Sequence, residues 1–125
     1  MPRATRKPAK PPARPSPRLR ELCSDDFFRQ TLDHLRTVCP VPRGCVVHCS
    51  RVPAVPGEHG RCDKLARTFT IELSRELTEY ELVHVLLHEW AHMIGWRPNH
   101  PLSGDHGPDW GVWYSVVWRA YHGIT

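Results

Sequence analysis

The chain has 125 residues, 40% of them hydrophobic, with a formal net charge of +4 and five cysteines. That is enough for one small domain with a modest core. No window approaches the roughly 18 apolar residues of a membrane span, no apolar targeting segment opens the chain, and an odd cysteine count argues against a disulfide framework; the expectation is a cytoplasmic protein, neither secreted nor membrane-bound.

The charge is divided unevenly. Residues 1–20 hold seven Lys or Arg, six Pro and no acid. Residues 21–125 carry ten basic and thirteen acidic side chains, a net −3. The first segment cannot bury enough apolar area to offset its ordering entropy, so it reads as a disordered basic tail. A detached basic arm beside an acidic domain points to a polyanion partner, most simply nucleic acid. The plainer reading is a solubilising terminus, and mitochondrial targeting is a third, opposed by the prolines. Residues 21–125 are then the folded domain.

The first predicted helix covers residues 24–38. Ser24 is a suitable N-cap, and Asp25 and Asp26 suit the positive helix end. Phe28, Leu32, Leu35 and Val38 form its buried stripe, and Pro40 and Pro42 end it. No chemistry is assigned to His34. Residues 45–73 read as a small sheet, with one strand over 45–49, a Pro/Gly loop from Arg51 to Arg61, and a second strand over 68–73. In that second strand Phe69, Ile71 and Leu73 alternate toward the core. Residues 68–73 read first as a core strand; only if the helix that follows bears a hydrolytic site would they also be a wall to which an extended substrate adds by main-chain hydrogen bonds. Cys23, Cys39, Cys45, Cys49 and Cys62 read as small buried thiols. A second metal site at Cys45 and Cys49 with His48 or His59 is the weaker reading, since no Cys-x-x-Cys pair is present.

The next helix carries the chemistry. Thr78 as N-cap and Glu81 form a capping box, with Leu77 and Leu82 as a hydrophobic staple. Leu82, Val85, Leu86, Glu89 and Met93 recur at helical spacing. Gly95 is expected to stop the helix as its C′ residue, and Pro98 blocks a restart. Within this helix lies His88-Glu89-Trp90-Ala91-His92, an H-E-x-x-H pattern. Residues four apart on a helix differ by about 40° and about 6 Å. His88 and His92 therefore point the same way and suit two imidazole ligands of one Zn²⁺. Glu89 is turned away from that pair but can reach a water activated by the metal.

A third ligand is needed, with one position left open. Pro98 stands where one common arrangement would place a His, and no Glu follows Glu89 for the other. His100, Asp105, His106, Asp109 and His122 remain. We favour His106, because Gly104 and Gly107 permit a tight approach and Pro108 starts a helix over 108–122. In that last helix Trp110, Trp113, Val117 and Tyr121 share one face, read as core against the metal-bearing helix. His84 reads as surface. Tyr114 and Tyr121 are candidates, by type alone, for stabilising an oxyanion.

H-E-x-x-H followed by a loop and His106-Gly107-Pro108-Asp109-Trp110 resembles the SprT-like metalloprotease family, which includes the Spartan DNA–protein crosslink proteases. The similar region covers about Phe69 to Tyr121. The resemblance implies that His88, His92 and His106 bind Zn²⁺ and that Glu89 is the catalytic base. It also implies a substrate class of DNA-bound or DNA-crosslinked proteins. Many bacterial relatives add a zinc ribbon of paired Cys-x-x-Cys, and no such pair occurs among these 125 residues. The expected fold is a small α+β zincin-like domain hydrolysing peptide bonds. The rivals are a small peptidase without DNA dependence and a non-catalytic nucleic-acid-associated module with a structural zinc.

Overall fold

The structure, a computed structural model, describes residues 21–96 and 106–124. The predicted basic tail, Pro98, His100, Gly104 and Asp105 lie outside the described residues. The fold is α+β, with element order α1 (Asp25–Val38), β1 (Val46–Val52), β2 (Gly60–Leu65), β3 (Thr68–Ser74), α2 (Glu79–Ile94) and α3 (Pro108–His122). Among the described residues no helix is long and apolar enough to cross a membrane.

Helix α1 starts where Ser24 Oγ accepts the Phe27 N–H at 3.0 Å. Leu35 is its one fully buried apolar side chain, joined by Thr31. Phe28, Leu32 and Val38 pack against the core but remain half-buried. The segment before α1 is anchored by the Cys23 N–H, which donates to the Leu77 carbonyl at 2.9 Å. Arg51 reinforces this corner. Its guanidinium donates to the Cys23 carbonyl (3.1 Å) and the Arg75 carbonyl (2.9 Å) and lies 3.3 Å from Asp25.

The sheet differs from expectation in two ways. It has three strands in the order β1-β3-β2. β2 went unrecognised because Gly60-Arg61-Cys62-Asp63-Lys64-Leu65 lacks the apolar alternation that marks a half-buried strand. It is a strand because β3 pairs with it, antiparallel, from Gly60↔Leu73 to Leu65↔Thr68. The loop from Arg51 to Arg61 is correspondingly shorter, since β1 runs on to Val52. Second, β3 is the central strand, parallel to β1 and antiparallel to β2, so it has no free edge. Its position follows from composition. Phe69, Ile71 and Leu73 are all at most 2% exposed, whereas the flanking strands carry mostly half-buried or exposed residues. The edge beside α2 is β2. A Cβ built on Gly60 would come within 2.6 Å of Val85, so β2 passes close over the helix there.

Helix α2 is the core element. Leu82, Leu86, Leu87, Trp90, Ala91 and Met93 are fully buried. The capping box is present: the Glu81 N–H donates to Thr78 Oγ1 at 3.3 Å and the Thr78 N–H to Glu81 Oε1 at 2.9 Å. The Trp90 indole N–H donates to the Cys39 carbonyl at 2.9 Å, which ties α2 to the end of α1. The helix ends at Gly95 as expected, one cap position earlier than the C′ place. Gly95 is the C-cap itself, at φ −92° and ψ 12°. Glycine is required there for space, since a Cβ would lie 2.4 Å from the Trp113 ring of α3.

Thr78→Ala removes one half of the capping box and leaves a helix-start N–H without its partner. Stability is expected to fall by about 1 kcal/mol, read as a lower midpoint in urea with an unchanged slope; an unchanged midpoint would mean that packing alone sets the start of α2.

Candidate metal centre

His88 and His92 stand one turn apart on α2, as their spacing requires. His106 precedes the Gly107 N-cap of α3, and Pro108 takes the first helical position, so the third imidazole is carried at a fixed helix start. Gly107 is not needed for a close approach, because a Cβ there would meet nothing within 4 Å. The three ring nitrogens converge. His106 Nε2 lies 2.8 Å from His88 Nε2 and 3.2 Å from His92 Nε2. One ligand atom from each residue falls within 4.8 Å of the others, a group that could hold a metal ion.

Nitrogens bound tetrahedrally at about 2.0–2.1 Å would stand about 3.3 Å apart, close to the observed separations. The donor chemistry agrees. Burial holds the His88 imidazole below its ordinary pKa, with the neighbouring His106 adding to the effect. Burial first, then His88 and His106, push His92 down to about 4. Near neutral pH these two side chains therefore present lone pairs rather than protons, as metal ligands must. His92 Nδ1 is buried without a hydrogen-bond partner among the described residues, so its second nitrogen is held by packing alone there.

The other candidates are placed elsewhere. His122 packs on Trp118 at the far end of α3, with ring centroids 4.2 Å apart. Asp109 stands in the first turn of α3, outside the three-His group. His84 packs against Tyr80, not against the imidazole cluster. Among the described residues the cysteines form no metal-holding group, and all five are free thiols. Cys49 and Cys62 flank Ile71 from the two outer strands. Burial pushes their thiols up to about 11 and about 12, the behaviour of inert packed sulfur.

Glu89 is 6% exposed, in the turn between His88 and His92. Burial raises its carboxyl to about 7, with the negative charges of Asp63 on β2 and Glu58 in the preceding loop adding to the shift. β2, absent from the sequence reading, thus supplies part of the electrostatics of this site. Trp110 lies on the face of α3 that packs on α2 and the core, as its spacing predicts, and its ring also borders the imidazoles, with its centroid 4.9, 5.6 and 4.8 Å from those of His88, His92 and His106. It is a wall against all three imidazoles, and its indole N–H faces the His88 carbonyl at 3.5 Å. The available signal was its place four residues after His106, one turn into α3. Tyr114 stacks on Trp110 at 5.0 Å and its ring is 6.4 Å from His88. Tyr121 instead packs against His34, away from the cluster.

A family model described as the SprT-like family matches residues 43–124. No curated protein and no solved structure was found to match the chain.

The electrostatics of Glu89 can be read in the metal-free protein. Its folded pKa is raised from 4.5 to about 7, so the folded state holds the extra proton between those values. Stability attributable to this group falls as pH rises through that window and stays lower above it. Glu89→Gln removes the buried charge. In chelator-treated protein at pH 8 the variant is expected to be more stable than wild type, by up to about 3 kcal/mol. The difference should vanish near pH 4, where His92 affects both proteins alike. A variant less stable at pH 8 would contradict the assigned environment.

Proposed function

The chain belongs to the SprT-like family, and from that premise we propose that it is a zinc-dependent peptidase with a zincin-like active site on α2 and the start of α3. The observation that carries this reading is the convergence of three imidazole nitrogens beside one buried carboxyl. His88, His92 and His106 would hold the metal, and as three protein ligands they would leave it accessible to water or substrate. A bound Zn²⁺ would supply Lewis acidity toward a peptide carbonyl and would make a nearby water more acidic. Glu89 takes the proton of the attacking water and delivers it to the leaving amine as the C–N bond breaks. A carboxyl raised to about 7 suits both transfers; the charge of a bound dication would draw it back toward the carboxylate form. Trp110 excludes water from one side and fixes the imidazole planes. Tyr114, behind Trp110, is the candidate donor to the developing oxyanion.

The peptide is taken in extended form. β3 cannot receive it, because both of its edges are paired. The outer edge of β2, which pairs with no strand among the described residues, can, and this is the strand whose Asp63 acts on Glu89. Main-chain hydrogen bonding to β2 would lay the peptide alongside α2. We place the substrates among proteins bound or crosslinked to DNA. Support comes from the family resemblance and from the seven Lys or Arg in residues 1–20.

Two experiments separate the parts of this proposal. Glu89→Gln should bind one zinc per chain while losing about 10²–10⁴-fold in turnover of an unfolded protein such as casein, whereas His106→Ala should lose the metal as well. Undiminished cleavage by Glu89→Gln would remove the carboxylate from the mechanism. Deleting residues 2–20 should weaken binding to single-stranded DNA and flatten the plot of log affinity against log salt; an unchanged slope would disconnect the arm from nucleic acid.

A further inference from the structure

A groove of about 250 Å³ opens between the first turn of α1, the first half of α2 and the last turn of α3. It shares no residue with the imidazole cluster. Its walls are mainly rings: Phe27, Tyr80, Trp118 and Tyr121, with His84 packed on Tyr80. Tyr80 stands 74% exposed at the rim. Glu79 supplies the one carboxylate of the lining. An aromatic groove with an acid beside it is the form of site that receives a Pro-rich, basic segment in the polyproline II conformation. Proline rings stack on the aromatic faces at little entropic cost, since their φ is already fixed. Arginine adds a planar cation that stacks on rings and pairs with carboxylate.

The chain carries such a segment. Residues 8–18 read Pro-Ala-Lys-Pro-Pro-Ala-Arg-Pro-Ser-Pro-Arg, with two P-x-x-P frames, Pro8–Pro11 and Pro12–Pro15. Its point of attachment is close to the groove. Cys23 is bonded to the Leu77 carbonyl, two residues before Glu79, and Phe27 follows one turn later. Only Glu21 and Leu22 separate that anchor from residue 20. At about 3.1 Å per residue, the stretch from Pro11 to Arg20 spans roughly 28 Å, ample to turn back over two helical turns of about 11 Å. Charge is complementary, since residues 1–20 contain no acid and the groove contains one.

We propose that the groove between α1, α2 and α3 is the docking site of the chain's own Pro-Arg segment, residues 8–18, with prolines on the Tyr80 and Trp118 rings and an arginine beside Glu79. The same residues cannot lie in the groove and on a polyanion together, so docking withholds the arm until a stronger partner competes. This inference does not depend on the metal or on peptidase activity.

The test is proton NMR on the full chain at low salt. Stacking on aromatic faces should move proline ring protons of residues 8–17 upfield, and Tyr80→Ala should return them to random-coil positions. Because Tyr80 is exposed, that variant should keep the wild-type dispersion of its core resonances. Replacing Pro11, Pro12 and Pro15 with Ser should shift the Trp118 indole N–H and leave that of Trp110 in place. Random-coil proline shifts in the wild type would overturn the proposal. So would upfield shifts that survive Tyr80→Ala, or that grow with protein concentration, which would make the occupant the arm of a second copy.

Discussion

The C-terminal half of α2 has almost no solvent face, and the rest of the molecule follows from that constraint. From Leu86 to Met93 every residue except His88 is buried. A helix enclosed on all sides must find a partner for each direction it presents. The sheet covers one flank, α1 meets it through Trp90 and Cys39, and α3 closes over the remainder with Trp113 against Gly95. Polar groups caught in that enclosure cannot be solvated. The two imidazoles remain neutral and the carboxyl resists ionisation for the same reason, desolvation. The packing that stabilises the fold therefore also sets the chemistry of the site.

Burial acts on the two kinds of group with opposite sign. It makes His88 and His92 better ligands by lowering their proton affinity, and it makes Glu89 a better base by raising its own. In the metal-free chain the raised carboxyl costs stability near neutral pH, whereas the lowered imidazoles cost it only as pH falls below 6.5, where the unfolded chain takes up protons that the folded one refuses. A bound cation would reverse that cost, because ligand lone pairs and a nearby negative charge are what it attracts. Such a site is expected to couple metal affinity to folding, which matters in a domain with a core this small.

Local signals in the sequence were sufficient where local physics decides the outcome. Thr78 and Glu81 defined the start of α2, Ser24 that of α1 and Pro108 that of α3, since caps and proline geometry act within a few residues. The spacing of His88 and His92 fixed their common direction for the same reason. What depended on distant contacts was not legible. β2 has no strand pattern of its own and exists through pairing with β3. The central place of β3 reflects competition among strands for burial. The need for Gly95 lies in the Trp113 ring eighteen residues away. The spacing of Trp110 puts it on the face of α3 that meets α2, but periodicity does not say which side chains it borders there, and its place beside the three imidazoles comes from tertiary structure. The three imidazoles bring both kinds of information together: His106 was chosen from its local setting, and only tertiary structure brings its nitrogen to the other two.

The central claim is an open, three-imidazole metal centre beside a buried carboxyl. X-ray absorption at the zinc edge of the zinc-loaded full chain tests it most directly. The expected first shell is three imidazole nitrogens and one further light atom, at about 2.0–2.1 Å. His106→Ala should reduce the imidazole contribution or abolish binding. A sulfur scatterer at about 2.3 Å, or a closed shell of four protein ligands, would contradict the claim and favour a structural zinc.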